Sequence, residues 1–316
     1  MKEQVFFAPG KLMLTGEYVV FNGVEALALP TGRFGQSLMV QSRENGNFHA
    51  WKSFEKDKEW FSSDFSLDLS RILQTNDIEK ARFLQEILKY IKNYKPALFE
   101  KPAAFTTRLN FNRQWGWGSS STLLVLLYQW SGVNPFVLNR KFYGGSGYDI
   151  AVGMENKALI YKLNESPADT GFKMIPPFNE PPYPSWQTLQ DFDLPFKADL
   201  KLVYLGKKQS SANEIKKYKP VISPGQKEEL NRITRSVART TNLDEFRNLM
   251  NRHEQILSTV LGRPTIKEEL FSGFKGMIKS LGAWGGDFVL ASGKNTEEYF
   301  RKKGLETIFD FDKVLI

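Results

Sequence analysis

Four short segments carry residue types that handle phosphate and move protons. The first, APGKLMLTGEY from Ala8 to Tyr18, sets Pro9-Gly10 directly before Lys11, so a turn there would hold an ammonium at a fixed backbone position. A hairpin with a surface lysine has the same spelling. The second, WGWGSSSTLLVLLYQW from Trp115 to Trp130, places Gly116 and Gly118 ahead of Ser119, Ser120 and Ser121 at the start of an apolar helix. Amides at a helix start bind phosphate, and serine hydroxyls there can cap the helix, bond phosphate oxygens or ligate Mg²⁺. The spelling matches neither GxxxxGK[ST] nor GxGxxG. The third, YGGSGYDIA from Tyr143 to Ala151, holds Asp149, and no Asp or Glu occurs between Glu100 and Asp149. A lone carboxylate after a glycine turn can accept a proton from a substrate hydroxyl, or merely close the turn. The fourth, SLGAWGGDFVLAS from Ser280 to Ser292, is a glycine-rich turn entering a strand, where Gly282, Gly285 and Gly286 leave room for a phosphate or for a tight turn.

Composition narrows the chemistry further. The chain has 316 residues, no Cys, and two His far apart, His49 and His253. Thiolate chemistry, zinc ribbons and disulfide frameworks are excluded, and a Ser-His-Asp hydrolase is disfavoured. Any metal would be hard and oxygen-bound, with Mg²⁺ leading. A net charge of +8 favours an anionic partner. Nucleic acid ranks last, because basic and aromatic residues do not interleave along a platform. The longest apolar run, Thr122 to Trp130, falls far short of the ~20 residues of a membrane span. No signal peptide is read at the N-terminus, and the expectation is a cytoplasmic protein without membrane or nucleic-acid partners.

The elements that must position these segments follow from periodicity. VFF and LMLTGEYVVF read as strands around a turn at Pro9-Gly10, with a second turn at Asn22-Gly23. SLMVQSR, NFHAWKSF and AAFTTRLNF read as further strands. Helical spacing runs over Ile78–Tyr94, Ser119–Trp130 and the two stretches QKEELNRITRSVART and LDEFRNLMNRHEQILSTVL. Five prolines between Met174 and Pro184 mark a domain boundary, giving domains 1–178 and 179–316. A Lys-rich loop, Leu205 to Lys219, gathers Lys207, Lys208, Lys216, Lys217 and Lys219 with Ser210 and Ser211, suited to an anion or to solvent. Arg232, Arg235 and Arg239 share one helical face, and Trp51, Trp60, Trp130 and Trp186 read as packing.

In their order, APGKLMLTGEYVV, GWGSSST, GSGYDIA and GAWGGDFVLAS resemble the signature motifs of the GHMP kinase family, spread over nearly the whole chain. Glu17-Tyr18 and the Gly-Gly-Asp ending at Asp287 are closer to phosphomevalonate kinases than to mevalonate kinases, and GSGYDIA is similar to a distinct subgroup. The resemblance implies an α+β protein of two domains, the N-terminal one ribosomal-protein-like and the C-terminal one ferredoxin-like, with the active site in a cleft between them. It implies an ATP-dependent kinase for a small acidic metabolite, of the mevalonate or phosphomevalonate type, acting as a monomer or homodimer.

By the same resemblance, Gly116, Trp117, Gly118, Ser119, Ser120 and Ser121 match the ATP-phosphate loop, and Ser120 matches the Mg²⁺ ligand. Asp149 matches the carboxylate proposed as base and Lys11 its charge-stabilising neighbour. Glu17, Tyr18, Ser211, Gly282, Gly285 and Gly286 fall at the substrate site. The chain departs from the pattern in several places: Arg113 stands where Pro is usual, Trp117 replaces Leu, Ser121 replaces Ala, and Trp284 interrupts the last glycine run. The Glu that mevalonate kinases give to Mg²⁺ is missing. That gap motivates a second reading, a catalytically impaired homologue that binds nucleotide or a partner without turnover.

Overall fold

In the computed structural model, which describes residues 3–44, 46–166, 173–174, 181–206, 220–282, 284 and 286–315, the spacing over Ile78–Tyr94 becomes a helix with those bounds. Asp77 caps it by accepting from the Lys80 N–H, and Ala81, Leu84, Ile87, Leu88 and Ile91 form its buried face. The chain divides into two compact units. Unit one joins Met1–Gly10, Phe34–Arg113 and Gly118–Met154; unit two joins Lys11–Arg33, Gln114–Trp117 and Glu155–Ile316. The expected single cut after residue 178 is not where the chain divides, because two long strands and the glycine loop each pass from one unit to the other. Residues 175–180 of the proline segment lie outside the described residues.

The first strand, β1 (Glu3–Met13), corrects the reading of a turn at Pro9-Gly10, since both residues lie within it. Among the described residues it pairs with β2 (Ala26–Ser42) alone, and a proline is tolerated on such an edge because its missing N–H is not required there. Residues Val19–Asn22, read as strand, form a short 3₁₀ helix closed by Gly23.

In unit one, the last part of β2 pairs antiparallel with β6 (Ala103–Leu109), which runs parallel to β3 (Phe48–Glu55). The order continues through β4 (Lys58–Ser66) and β5 (Ile72–Thr75). Helix α1 is Ile78–Tyr94, and α2 (Ser119–Ser131) follows the glycine loop. After α3 (Pro135–Phe142) comes α4 (Tyr148–Glu155). A Cβ at Gly153 would lie 2.9 Å from Val125, so glycine lets α4 approach α2.

In unit two, Ala26–Ala28 of β2 pair with β7 (Leu159–Asn164), followed by β9 (Tyr183–Thr188) and β8 (Lys173–Met174). A second sheet of four antiparallel strands has the order β11 (Gly276–Leu281), β12 (Phe288–Gly293), β10 (Lys201–Tyr204), β13 (Ile308–Asp310). Helices α5 (Pro224–Val237) and α6 (Leu243–Leu261) accompany it, the first opened by a capping box at Ser223 and the second closed by Gly262. Among the described residues no helix is long and apolar enough to cross a membrane.

Candidate active site

Gly118 begins α2 in the left-handed region, with φ 87°, and no side chain caps the helix. Its amide end is therefore open to an anion. The three serines separate by role. Ser119 and Ser120 line a cavity of about 400 Å³ within unit one. Ser121 is buried, and its hydroxyl donates to the Gly118 carbonyl at 2.9 Å. Ser120 hydrogen-bonds Tyr143, whose phenol burial pushes up to about 12. At neutral pH that phenol stays protonated and can only share a proton, not carry charge.

The rest of the cavity mixes aromatic, aliphatic and polar side chains, Glu79 and Lys80 among them, and comes mainly from the sheet and α1. Trp51 and Ser53 on β3, Thr107 on β6 and Gln36 on β2 form one side, and Phe83 and Leu84 on α1 another. Successive strand residues normally alternate faces, yet Trp60 and Phe61 both line this space. The β3–β4 register explains it: Ser53 opposes Phe61 and Phe54 opposes Glu59, leaving Trp60 as the extra residue of a bulge that re-aims its ring. The Arg113 guanidinium lies 4.0 Å from the Trp60 ring centroid and bonds Glu55 at 2.8 Å, which holds the indole in place. Trp51 and Trp60, read from sequence as packing, thus belong to the cavity. Trp130, packed edge-on to Phe99 and Phe105, and Trp186, buried with its indole N–H on Glu155, are packing residues.

Asp149 sits in the first turn of α4, half-buried, behind Gly144 and Gly147 at φ 72° and 87°. Its Oδ1 accepts from the Ile150 N–H at 3.1 Å.

In unit two, the Lys11 N–H donates to the Trp117 carbonyl at 3.0 Å, which ties the strand bearing the ammonium to the glycine loop. The Trp117 ring is buried and stacks on Phe288 with centroids 5.3 Å apart, so this residue can meet a ligand only through its backbone. Gly116, at φ 67°, accommodates Asp287: a Cβ there would fall 2.0 Å from Asp287 Oδ2. Gly282, at φ 80°, also borders that carboxylate, and Gly286 is buried. Gly116→Ala should therefore cost about 1–3 kcal/mol through overpacking, on top of the backbone penalty. Gly144→Ala, at a similar φ with nothing within 4 Å, is the control. Thermal unfolding that ranks the two variants equally would contradict the close Asp287 contact.

Glu17 and Tyr18, expected at the substrate, instead face the interior of unit two, each 5% exposed. Glu17 Oε1 receives the Lys279 ammonium at 2.6 Å, and Lys279 also donates to the Ser280 carbonyl. His253 Nε2 accepts from the Gly16 N–H at 3.0 Å, so the ring is neutral and burial keeps its pKa far down. The Trp284 N–H donates to the Tyr18 hydroxyl, and Thr15 bonds Thr234 at 2.8 Å. The turn Thr15–Tyr18 is thus wired to α5, α6, β11 and the last glycine loop. Within unit two these motif residues hold the backbone of the turn.

Beside Lys279 lies a second buried carboxylate, Glu254, whose Oε1 accepts from the Ser280 N–H at 3.2 Å. Burial raises it from an ordinary 4.5 to about 7, against the pull of Lys279 and the Ser280 N–H, while Glu17 adds to the rise. Glu17 is raised too, first by burial and against Lys279. The folded protein keeps a proton on Glu254 that the unfolded chain gives up. Its stabilising contribution is full below about pH 4.5 and is lost as pH rises through about 7. Glu254→Gln should flatten the fall of Tm across that window, and an unchanged slope would show that Glu254 does not titrate there.

Ser211 and the Lys-rich loop 207–219, together with Gly285, lie outside the described residues. Ser53 and Tyr143, which line the cavity of unit one, and Lys279 and Glu254, buried in unit two, are not among the residues the sequence singled out. For Lys279 a signal existed, a lysine inside the apolar strand GMIKSL.

No protein-family model matches the chain, and no curated relative matches it in sequence. Solved structures do. Methanococcus jannaschii mevalonate kinase aligns at 14% identity and TM-score 0.67, over 98% of this chain and 97% of that one. Streptococcus pneumoniae phosphomevalonate kinase, solved with phosphomevalonate and AMPPNP, aligns at 14% identity and TM-score 0.67, over 98% and 99%. Lactococcus lactis galactokinase, solved with galactose, aligns at 13% identity and TM-score 0.59, over 98% and 92%. Such identities speak for architecture, and on that ground the chain has the two-domain α+β fold of the GHMP kinases.

Proposed function

We propose that this protein is an ATP-dependent small-molecule kinase, moving the γ-phosphoryl group of Mg-ATP to a hydroxyl or phosphate of a small acidic metabolite of the mevalonate or phosphomevalonate type. One observation carries the reading: the uncapped amide end of α2, with Ser119 and Ser120, opens on an aromatic cavity sized for a nucleoside. The amides and the two hydroxyls hold the phosphates, and the cavity takes the base. Asp149 accepts the proton of an acceptor hydroxyl as its oxygen attacks the γ-phosphorus and the bond to the β-phosphate oxygen breaks, releasing ADP. Lys11 offsets the charge on the transferring oxygens. Phosphoryl transfer asks mainly for such positioning and neutralisation.

Mg²⁺ fits the donor set as an ion held chiefly by phosphate and water. Ser120 offers a hydroxyl oxygen, and among the described residues no group of three His, Asp or Glu forms a protein cage. When bound, the ion neutralises phosphate charge. The mevalonate and phosphomevalonate enzymes among the structural neighbours support the acceptor class, as does the net charge of +8.

The missing acidic residue between Glu100 and Asp149 favours a second reading, a homologue that binds nucleotide without turnover. Mg²⁺-dependent ADP release, measured against mevalonate, phosphomevalonate, homoserine and sugars, separates the two. Release with one acceptor supports the kinase; thermal stabilisation by ATP without release on any acceptor supports the second reading.

A further inference from the structure

Two buried donors beside the Trp51 and Trp60 side chains that line the cavity in unit one have no acceptor among the described residues. Ser53, 4% exposed, accepts from Trp51 Nε1 at 2.9 Å and from Thr107 Oγ1 at 2.8 Å. A hydroxyl has two lone pairs and one proton, so both acceptor positions are used and the proton remains without an acceptor among the described residues. Trp60 Nε1, beside it on the bulge, is likewise buried with no acceptor. The cavity's amide oxygen, Gln36 Oε1, is engaged by Thr122 Oγ1 at 2.7 Å. Buried donors left unmet are costly, and a ligand that brings an acceptor relieves that cost.

We infer that Ser53 is a specificity residue that donates to a ring nitrogen of a purine base held between the Trp51 and Trp60 walls. The inference rests on the nucleotide reading above and adds which protein group selects the base. A flat heteroaromatic ring with acceptor nitrogens matches both the walls and the spare donors. An alkyl chain would leave the Ser53 proton and the Trp60 N–H unmet.

Calorimetric titration of the full-length protein with ADP and with its 1-deaza, 3-deaza and 7-deaza analogues tests this, each analogue lacking one ring acceptor. One analogue should bind ~10-fold more weakly than ADP. Ser53→Ala should lose a similar factor for ADP and nothing further for that analogue. Equal binding of ADP and all three analogues to the native protein overturns the inference while leaving nucleotide binding intact. Ser53→Ala weakening ADP and every analogue alike also overturns it, since that is the mark of general loosening. If native protein binds no ADP, the nucleotide reading falls and this inference with it. Because the analogue series runs on native protein, it decides the matter even if Ser53→Ala, which strips Trp51 and Thr107 of their acceptor, folds poorly.

Discussion

Asp149→Asn is expected to cut turnover by ~10²–10⁴-fold, the usual span for removing a general base, while nucleotide affinity is retained. The substitution is gentle on structure. Asn keeps an oxygen to accept from the Ile150 N–H, the bond that Asp149 Oδ1 makes in the first turn of α4. What it removes is the second, basic oxygen. Asp149 does not line the aromatic cavity, so the dissociation constant for ADP should not move. Turnover near the native rate would remove Asp149 from the chemistry and leave it a helix-start residue. A parallel loss of nucleotide affinity would instead assign it to binding.

Lys279→Met should be the most damaging single change to stability. Lys279 is fully buried, and its ammonium sits on Glu17 Oε1 with Glu254 nearby. Removing one partner of a buried pair leaves a carboxylate without its cation in a low-dielectric interior, which costs ~3–5 kcal/mol. The double variant Glu17→Gln, Lys279→Met should recover much of that loss, because it removes the stranded charge along with the cation. Denaturant unfolding measures both. A loss under ~1 kcal/mol in the single variant, or no recovery in the double, would mean the pair is not what holds the Thr15–Tyr18 turn to β11.

The split between what the sequence disclosed and what it hid follows the range of the interactions. Helices Ile78–Tyr94 and Leu243–Leu261 were readable to the residue because their signals are local: a repeat near 3.6, caps at Asp77 and Asn242, and Gly262 at the close. Pro9 misled because a proline's tolerance in a strand depends on which neighbour pairs with it, a tertiary fact. The Ser119–Ser121 run announced a helix start, but not that Ser121 turns back to Gly118. Glu17 and Tyr18 were visible as motif residues, yet their role depends on Lys279 and Trp284, more than 260 residues away in the chain. The Trp60 bulge depends on register with β3, which no spacing within β4 reveals.

Phosphorus NMR of the protein mixed with Mg-ATP and each acceptor in turn follows the γ-phosphoryl group itself. The reading advanced above predicts that its signal gives way to ADP and to a phosphorylated acceptor, with Mg²⁺ required and with Asp149→Asn silent. ATP left intact with every acceptor, or broken down only to ADP and inorganic phosphate, would contradict it.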